Sequence, residues 1–521
     1  DVIITDHHQP PEQLPAALAI INPKQPDCTY ADKYLAGVGV AFKLCQALWQ
    51  KKDGTDAAVL EYLDMVAIGT IADIVPLMGE NRILVKLGLQ TLANTANIGL
   101  QALITVCDLQ NSKIDTGKVG FVIAPRLNAV GRIGRASTGV ELLTVKDATM
   151  ANELAIHLDN ENSARQIVEK EIQDIAETLM ADVDLNTAKT LVLAGEDWHS
   201  GVIGIVASRL VEKYYRPVVM ISVKDGIGKG SCRSIAGFDI YDALYKCADL
   251  LIQFGGHRQA AGLSILPENI AKLRERLNQI AAETLTEEDY IPVLNIDSFV
   301  PLEEINTAFL EQLSCLAPHG MGNPSPVFAC EELLIADLRS IGQGGRHLKL
   351  KIKRNQISSD VIAWNMGSWV NELQRNSCID LAFLPEINEW QGQRSIQLKA
   401  HDVRQTVKKA MIEQSDHRCI TIKDNRNTSD KLGEILQVIK LGEKVLIYVN
   451  SDKEAQALVQ KLRNCLPEAS QQVAGYYQES NHDRNIQVVD KFFEGAIKVV
   501  VIAKGVEDTL KLPDVQHVIL Y

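Results

Sequence analysis

Val2-Ile3-Ile4-Thr5-Asp6-His7-His8 is the stretch on which the reading of this chain turns. The β-branched run Val2-Ile3-Ile4 reads as a short buried strand. Open α/β sheets form their ligand crevice at the carboxyl ends of the strands, which is where Asp6, His7 and His8 fall. Near neutral pH imidazole offers a metal an uncharged nitrogen, and carboxylate offers charge to a hard divalent ion. By itself the triplet is weak, because a surface turn with two histidines reads the same way.

Working outward, Tyr62 to Val75 reads YLDMVAIGTIADIV, with Asp73 in an almost wholly apolar run. A carboxylate in such surroundings is costly unless paired, hydrogen-bonded or bound to a cation. It is either a helix cap or buried ion pair, or a metal ligand facing His7, with a Gly69-Thr70 break turning the chain into a site. Arg126, Asn128, Arg132 and Arg135 gather around Gly131 and Gly134, where guanidinium forks and close backbone approach suit phosphate. A lone arginine there would be a solvated loop residue; the group together favours phosphate binding. Ser231 and Arg233 beside Gly230 read as an anion nest, and Gly256-His257 brings backbone N–H groups and an imidazole to a second phosphate. The rival for Gly256-His257 is a tight turn with a buried histidine.

The chain has 521 residues, a net charge of −13 and ten cysteines without a CxxC pair. At about 150 residues per domain it holds three or four domains. The cysteine pattern argues against a zinc ribbon and a disulfide framework, and fits a reducing cytoplasm. No run of eighteen apolar residues predicts a membrane span, so no membrane partner is expected. The acidic balance disfavours a nonspecific nucleic-acid binder overall but allows a local basic groove.

The expected fold is multi-domain α/β. Residues 1–145 alternate short strands with helices such as 38–49 and 57–68. A long connector helix occupies 146–186, where apolar residues recur at three-to-four spacing without proline or glycine over 148–182. A second α/β domain follows at 187–290, and short strands with turns at 291–403 suit an OB-like β-barrel. Residues 346–354 alternate basic and apolar side chains, giving either a lysine face for a single strand or an aggregation-resistant edge. Trp364 and Trp390 are possible stacking platforms, with at least one expected in the core. Residues 404–521 read as a RecA-like α/β domain ending in GVEDTLKLPDVQHVILY. It has no GxxxxGK[ST] phosphate loop and is read as non-hydrolysing.

TDHH (Thr5–His8), AIGTIADIVPL (Ala67–Leu77) and FGGHRQAAG (Phe254–Gly262) resemble the DHH phosphoesterases, and more narrowly the RecJ single-strand DNA exonucleases. APRLNAVGRIGRAS (Ala124–Ser137), WHSGVIGIVASRL (Trp198–Leu210), GSCRSIAGFDI (Gly230–Ile240) and APHGMGNPSPVF (Ala317–Phe328) narrow the match, which covers roughly residues 1–403. The resemblance implies a 5′→3′ exonuclease on single-stranded DNA in recombination and repair, using two Mn2+ or Mg2+ ions. It implies metal ligation by His7 and Asp73, and a place for His8 against the scissile phosphate. Single-strand binding protein and a helicase are the protein partners such an enzyme would meet. The family places an Asp-x-Asp and a lone Asp on strands before the DHH motif, whereas this sequence starts at Asp1. The expectation is therefore a fragment with part of a two-metal site, nearly inactive alone. The rival readings are a phosphoesterase of short oligonucleotides or cyclic dinucleotides, and a non-catalytic nucleic-acid scaffold.

Overall fold

In a computed structural model of the chain the described residues are 1–11, 13–390, 393–406, 421–424, 430–439, 444–477, 487–489, 491–492, 495–503 and 517–521. They form two compact units, Asp1–Thr406 and Val407–Tyr521.

The first unit opens with strands β1 (Ile3–Thr5) and β2 (Ala19–Ile21), paired in parallel with Ile4 opposite Ile20. The alternating strands expected up to residue 145 do not follow. Instead come helices α1 (Gly37–Asp53), α2 (Leu63–Ala72), α3 (Gly79–Ala93), α4 (Ile98–Val106) and the single turn α5 (Thr116–Lys118). A π-helical turn, Val119–Ile123, then runs into α6 (Ala124–Ile133), followed by α7 (Ser137–Thr144). These apolar stretches are rich in Ala and Leu and most are long enough for several helical turns, so helix wins over strand. The expected break at Gly69-Thr70 is likewise absent: both lie inside α2. Gly69 serves a close approach, since a Cβ there would stand 2.8 Å from Cγ1 of Val38 on α1.

Helix α8 (Ala148–Met180) has 33 residues and spans about 50 Å. Asp147 caps it by accepting from the Met150 N–H. Its first half buries Ala155 and Leu158 in the core of the helical region, and its second half buries Ile172, Ala176 and Met180 beneath the next domain. Between them lie the buried polar residues Asn162, Arg165 and Glu169.

The second α/β body comprises β3 (Leu191–Glu196), α9 (Ile203–Tyr214), β4 (Val218–Lys224), β5 (Ile227–Arg233), α10 (Ile240–Tyr245), β6 (Leu251–His257), β7 (Ala260–Ile265) and α11 (Ile270–Thr284). Its sheet has the order β3-β4-β5-β7-β6, parallel at β3–β4 and antiparallel beyond.

Strand β8 (Ser298–Phe299) and helix α12 (Thr307–Ser314) lead to β9 (Phe328–Ile341), β10 (His347–Arg354), β11 (Ile357–Ala363), β12 (Cys378–Trp390) and β13 (Gln393–Gln405). Strand β9 pairs with both β12 and β10, closing the five long strands into a barrel. Leu348, Leu350 and Ile352 enter its core while Lys351 and Lys353 are exposed, as the alternation requires.

The second unit contains β14 (Thr421–Asp424), α13 (Lys431–Ile439), β15 (Val445–Val449), α14 (Asp452–Cys465), β16 (Val473–Tyr476), β17 (Val499–Ala503) and β18 (His517–Leu520). Its sheet is parallel throughout, in the order β14-β18-β15-β17-β16. The expected motif from 505 lies outside the described residues up to 516. Among the described residues no helix is long and apolar enough to cross a membrane, and nine cysteines are free.

Candidate functional site

Past the end of β1 the chain turns around Asp6. Its carboxylate accepts from the backbone N–H of His7 at 2.8 Å and lies 2.8 Å from Nδ1 of His8. Burial pushes the Asp6 carboxyl upward, but the bonds from His8 and His7 outweigh it and leave the group below its ordinary range. Asp6 thereby orients the His8 imidazole and holds the His7 backbone, and the two ring centroids are 4.3 Å apart.

His7 and Asp73 meet. Nε2 of His7 lies 3.3 Å from the Asp73 carboxylate, which stands at the C-terminus of α2. Burial lowers the His7 pKa, with Asp73 opposing, so the ring is held towards its uncharged, metal-ligating form. Asp73 itself is exposed rather than sunk in the apolar run as its surroundings in sequence suggest. The carboxylate in that run that is buried is Asp64, which accepts from the Thr95 hydroxyl and the Met65 N–H. Among the described residues no third His, Cys, Asp or Glu completes a metal-binding group with them.

His7 and Asp73 line a cavity of about 400 Å³ with Ala36, Gly37, Val38, Gly69, Ala72 and Asn128. Ala36 to Val38 form the start of α1, where Ala36 makes no side-chain cap. The Ala36 N–H donates to Asn81, but Ala36 offers no cap to the N–H groups of Gly37 and Val38, which together with the helix dipole favour an anion. The sequence reading missed this contribution; its signal was a glycine pair, Gly37 and Gly39, opening a helix without a polar cap. A second cavity of about 320 Å³, lined by apolar groups including Met65, Ile68, Leu127 and Leu143, adjoins the first through Val38, Gly69, Ala72 and Asn128.

The arginine-rich segment is not the expected glycine loop. Arg126, Asn128 and Arg132 lie on α6, whose first turn is set by Pro125. The structure separates their surroundings. Asn128 reaches the cavity, whereas Arg126 pairs with Asp159 of α8 at 2.7 Å, the salt-bridge reading of that residue. Arg132 donates to the Gly201 carbonyl at 3.0 Å, bridging to the second α/β body. Arg135 is exposed after α6.

Ser231 and Arg233 lie within β5, not in a nest. Their strand is paired on both sides, so it is their side chains, rather than a run of free N–H groups, that are available to a ligand. Arg233, Ala260 and His257 form one row across β5, β7 and β6, and Ser231, Gly262 and Gly255 form the next row on the same face. The glycines leave the floor open, and a Cβ on Gly255 would meet nothing within 4 Å. Between these rows Cys232 and Ala261 point into the core. Gly256, at φ 145°, adopts backbone few other residues can, and a Cβ there would strike Ala260 and Ala261. His257 is exposed on edge strand β6, against the buried-histidine reading. Burial lowers the Arg233 pKa, Cys232 opposes, and nearby Arg132 adds to the lowering. Arg132 and Arg233, from different domains, thus share one electropositive neighbourhood on an acidic protein.

An imidazole and a carboxylate meeting beyond the end of a strand, with an open glycine floor on a second α/β body, make an arrangement that suits a phosphate ester. Family descriptions agree: "DHH family, N-terminal domain" matches residues 1–70, "DHHA1 domain" 187–283, "RecJ OB domain" 296–402 and "Helicase conserved C-terminal domain" 427–521. The single-stranded-DNA-specific exonuclease RecJ of Bacillus subtilis is 42% identical over 404 residues, covering 77% of this chain and 50% of that protein. The Haemophilus influenzae RecJ is 39% identical over 416 residues, covering 76% of this chain and 72% of that protein. A crystal structure of Thermus thermophilus RecJ in complex with Mn2+ superposes with a TM-score of 0.69 at 29% identity, covering 99% of this chain and 72% of that one. The chain belongs to the RecJ family of single-stranded-DNA-specific exonucleases. It spans half the length of its Bacillus relative.

Proposed function

We propose that the protein removes nucleotides from single-stranded DNA in the 5′→3′ direction, in recombination and repair, with Mn2+ or Mg2+ at the His7–Asp73 cavity. The carrying observation is the 3.3 Å approach of His7 Nε2 to the Asp73 carboxylate in a cavity that Asn128 also lines. One imidazole and one carboxylate this close suit two neighbouring ligands of a hard divalent cation. A bound cation would acidify a water and neutralise charge on the phosphate. His8, oriented by Asp6, presents its other ring nitrogen as a hydrogen-bonding group for the scissile phosphate. Asn128 and the first turn of α1 hold the backbone beside it. Ser231, Arg233, Gly256 and His257 receive the strand's terminal phosphate. Arg126 is given no phosphate in this reading, since its Nε already pairs with Asp159.

The four-part division also serves this reading: hydrolysis at 1–145, the connector at 146–186, end recognition at 187–290 and a strand-binding barrel at 291–403. The C-terminal body, 404–521, is left for protein contacts, with single-strand binding protein and a helicase as the expected partners in the cytoplasm. The family's action on single-stranded DNA and the Mn2+ complex of the Thermus relative support the assignment.

The test is Asp73→Ala in the catalytically competent protein. Cleavage of a 5′-labelled single strand with Mn2+ should fall at least a thousandfold, while strand binding by fluorescence anisotropy stays within twofold. Cleavage within a few-fold of the parent would return Asp73 to a helix-capping role.

A further inference from the structure

We propose that Phe121 is a stacking platform for a nucleobase of the bound strand on the far side of the scissile bond from its held end. The proposal rests on the single-strand exonuclease reading above and adds a contact that reading does not contain.

Phe121 is 86% exposed, more than any other large apolar side chain described. Leaving a phenyl ring in water forgoes the stabilisation its burial would bring. Phe121 belongs to the π-helical turn Val119–Ile123, which runs directly into α6. The neighbours of Phe121 within this turn are well packed: Val119 and Ile123 are fully buried, and a Cβ on Gly120 would stand 3.8 Å from Ile71. The turn is thus anchored against the last turn of α2, whose C-cap is Asp73, and it holds one aromatic side chain outward.

What lies along the helix from Phe121 identifies the occupant. On α6, Ala124, Ala129 and Val130 are buried, while Asn128 and Arg132 are exposed. Asn128 lines the His7–Asp73 cavity and Arg132 bonds to Gly201 beside the Arg233 site. Exposed side chains therefore follow one another along this helical segment, from Phe121 through Asn128 at the cavity to Arg132. Seven residues of helix raise Asn128 about 10 Å from Phe121. That is roughly three nucleotides at the spacing of a stacked strand. A strand whose end is held at Arg233 and His257, and whose backbone crosses Asn128, brings its following bases to Phe121. An aromatic face accepts any base, which suits an enzyme that must advance through every sequence.

The experiment compares the catalytically competent parent with Phe121→Ala and Phe121→Trp on short single strands. Each strand carries one abasic nucleotide at successive positions from the 5′ end. Phe121→Ala should lower kcat/KM on intact strands by about five- to a hundredfold, the range for one stacked base. Phe121→Trp should restore most of it. In the parent one abasic position, a few nucleotides past the cut, should cost a similar factor, and Phe121→Ala should be indifferent to that position alone. If the parent degrades intact strands but Phe121→Ala stays within twofold of it, or stays equally sensitive at every abasic position, the stacking role is wrong and the exonuclease reading stands. If the parent neither binds nor degrades single strands, both fall together.

Discussion

Leu77 donates its backbone N–H to the carbonyl of Met321 at 2.7 Å, tying the turn behind Asp73 to the loop that leads into the barrel. The tie is reinforced on both sides. Thr116 Oγ1 donates to the His319 carbonyl and Arg82 to the Leu316 carbonyl, each at 2.7 Å. Between Asp73 and Leu77 the backbone is strained: Ile74 has φ 57°, a left-handed conformation that costs a β-branched residue about 1–2 kcal/mol. Such a conformation persists only where its surroundings over-determine it.

The same loop should loosen in acid. Burial lowers the His319 pKa from the ordinary 6.5, hydrogen bonding to the backbone at Asn323 and Pro324 pulls it back, and Arg82 lowers it further. The unfolded imidazole takes its proton near 6.5 and the folded one only at lower pH, so the folded state binds fewer protons between the two. Stability present above pH 6.5 is lost as pH falls through that window. Hydrogen exchange of residues 316–323, corrected for intrinsic rates, should quicken from pH 7.5 to 5.5 in the parent but not in His319→Gln. Equal acceleration in both would assign the change to another group.

Arg233→Ala should weaken recognition of a terminal phosphate. One charge-assisted hydrogen bond is worth about 1.5–3 kcal/mol, roughly ten- to a hundredfold. Degradation of 5′-phosphorylated strands should fall by that factor and of 5′-hydroxyl strands by less. Equal losses would make Arg233 a general backbone contact.

Glu169 of α8 sits almost fully buried between Arg165, at 2.6 Å, and Arg209 of α9. Glu169→Ala strands the buried Arg165 guanidinium and should cost about 3–5 kcal/mol in urea unfolding. Replacing Arg165 and Glu169 together by methionine should recover most of that loss. A single mutant as stable as the parent would show that water already solvates Arg165.

Trp364 is half exposed and stands edge-on to His347, with ring centroids 4.7 Å apart. It follows directly on β11, which pairs with the lysine-bearing β10. Trp364→Ala should weaken single-strand binding by about 1–3 kcal/mol without changing the salt dependence that lysines contribute. A changed salt slope with unchanged stacking would move the credit to the lysines. Trp390 lies in β12, and its side chain is outside the described ones.

Strong local periodicity was legible in the sequence, whereas short apolar runs before residue 145 read as strands and proved helical. The alternation of 347–354 made a barrel strand, because side-chain direction in a strand has period two. The three-to-four spacing after Asp147 made α8. The chemistry of His7 and Asp73 identified them as possible ligands before their distance was known. Tertiary structure alone decided which polar residues meet. Asp64 and Asp73 share one apolar run, yet packing buries the first on Thr95 and delivers the second to the cavity. Arg126 and Arg132 belong to one motif, but α8 supplies Asp159 to the first only. Arg233 and His257 join one face through Ala260, and Leu77 finds Met321, because sheet register and domain packing set those pairings. Local periodicity fixes which way a side chain points; what waits there is set by segments hundreds of residues away, whose positions follow from the packing of the whole unit.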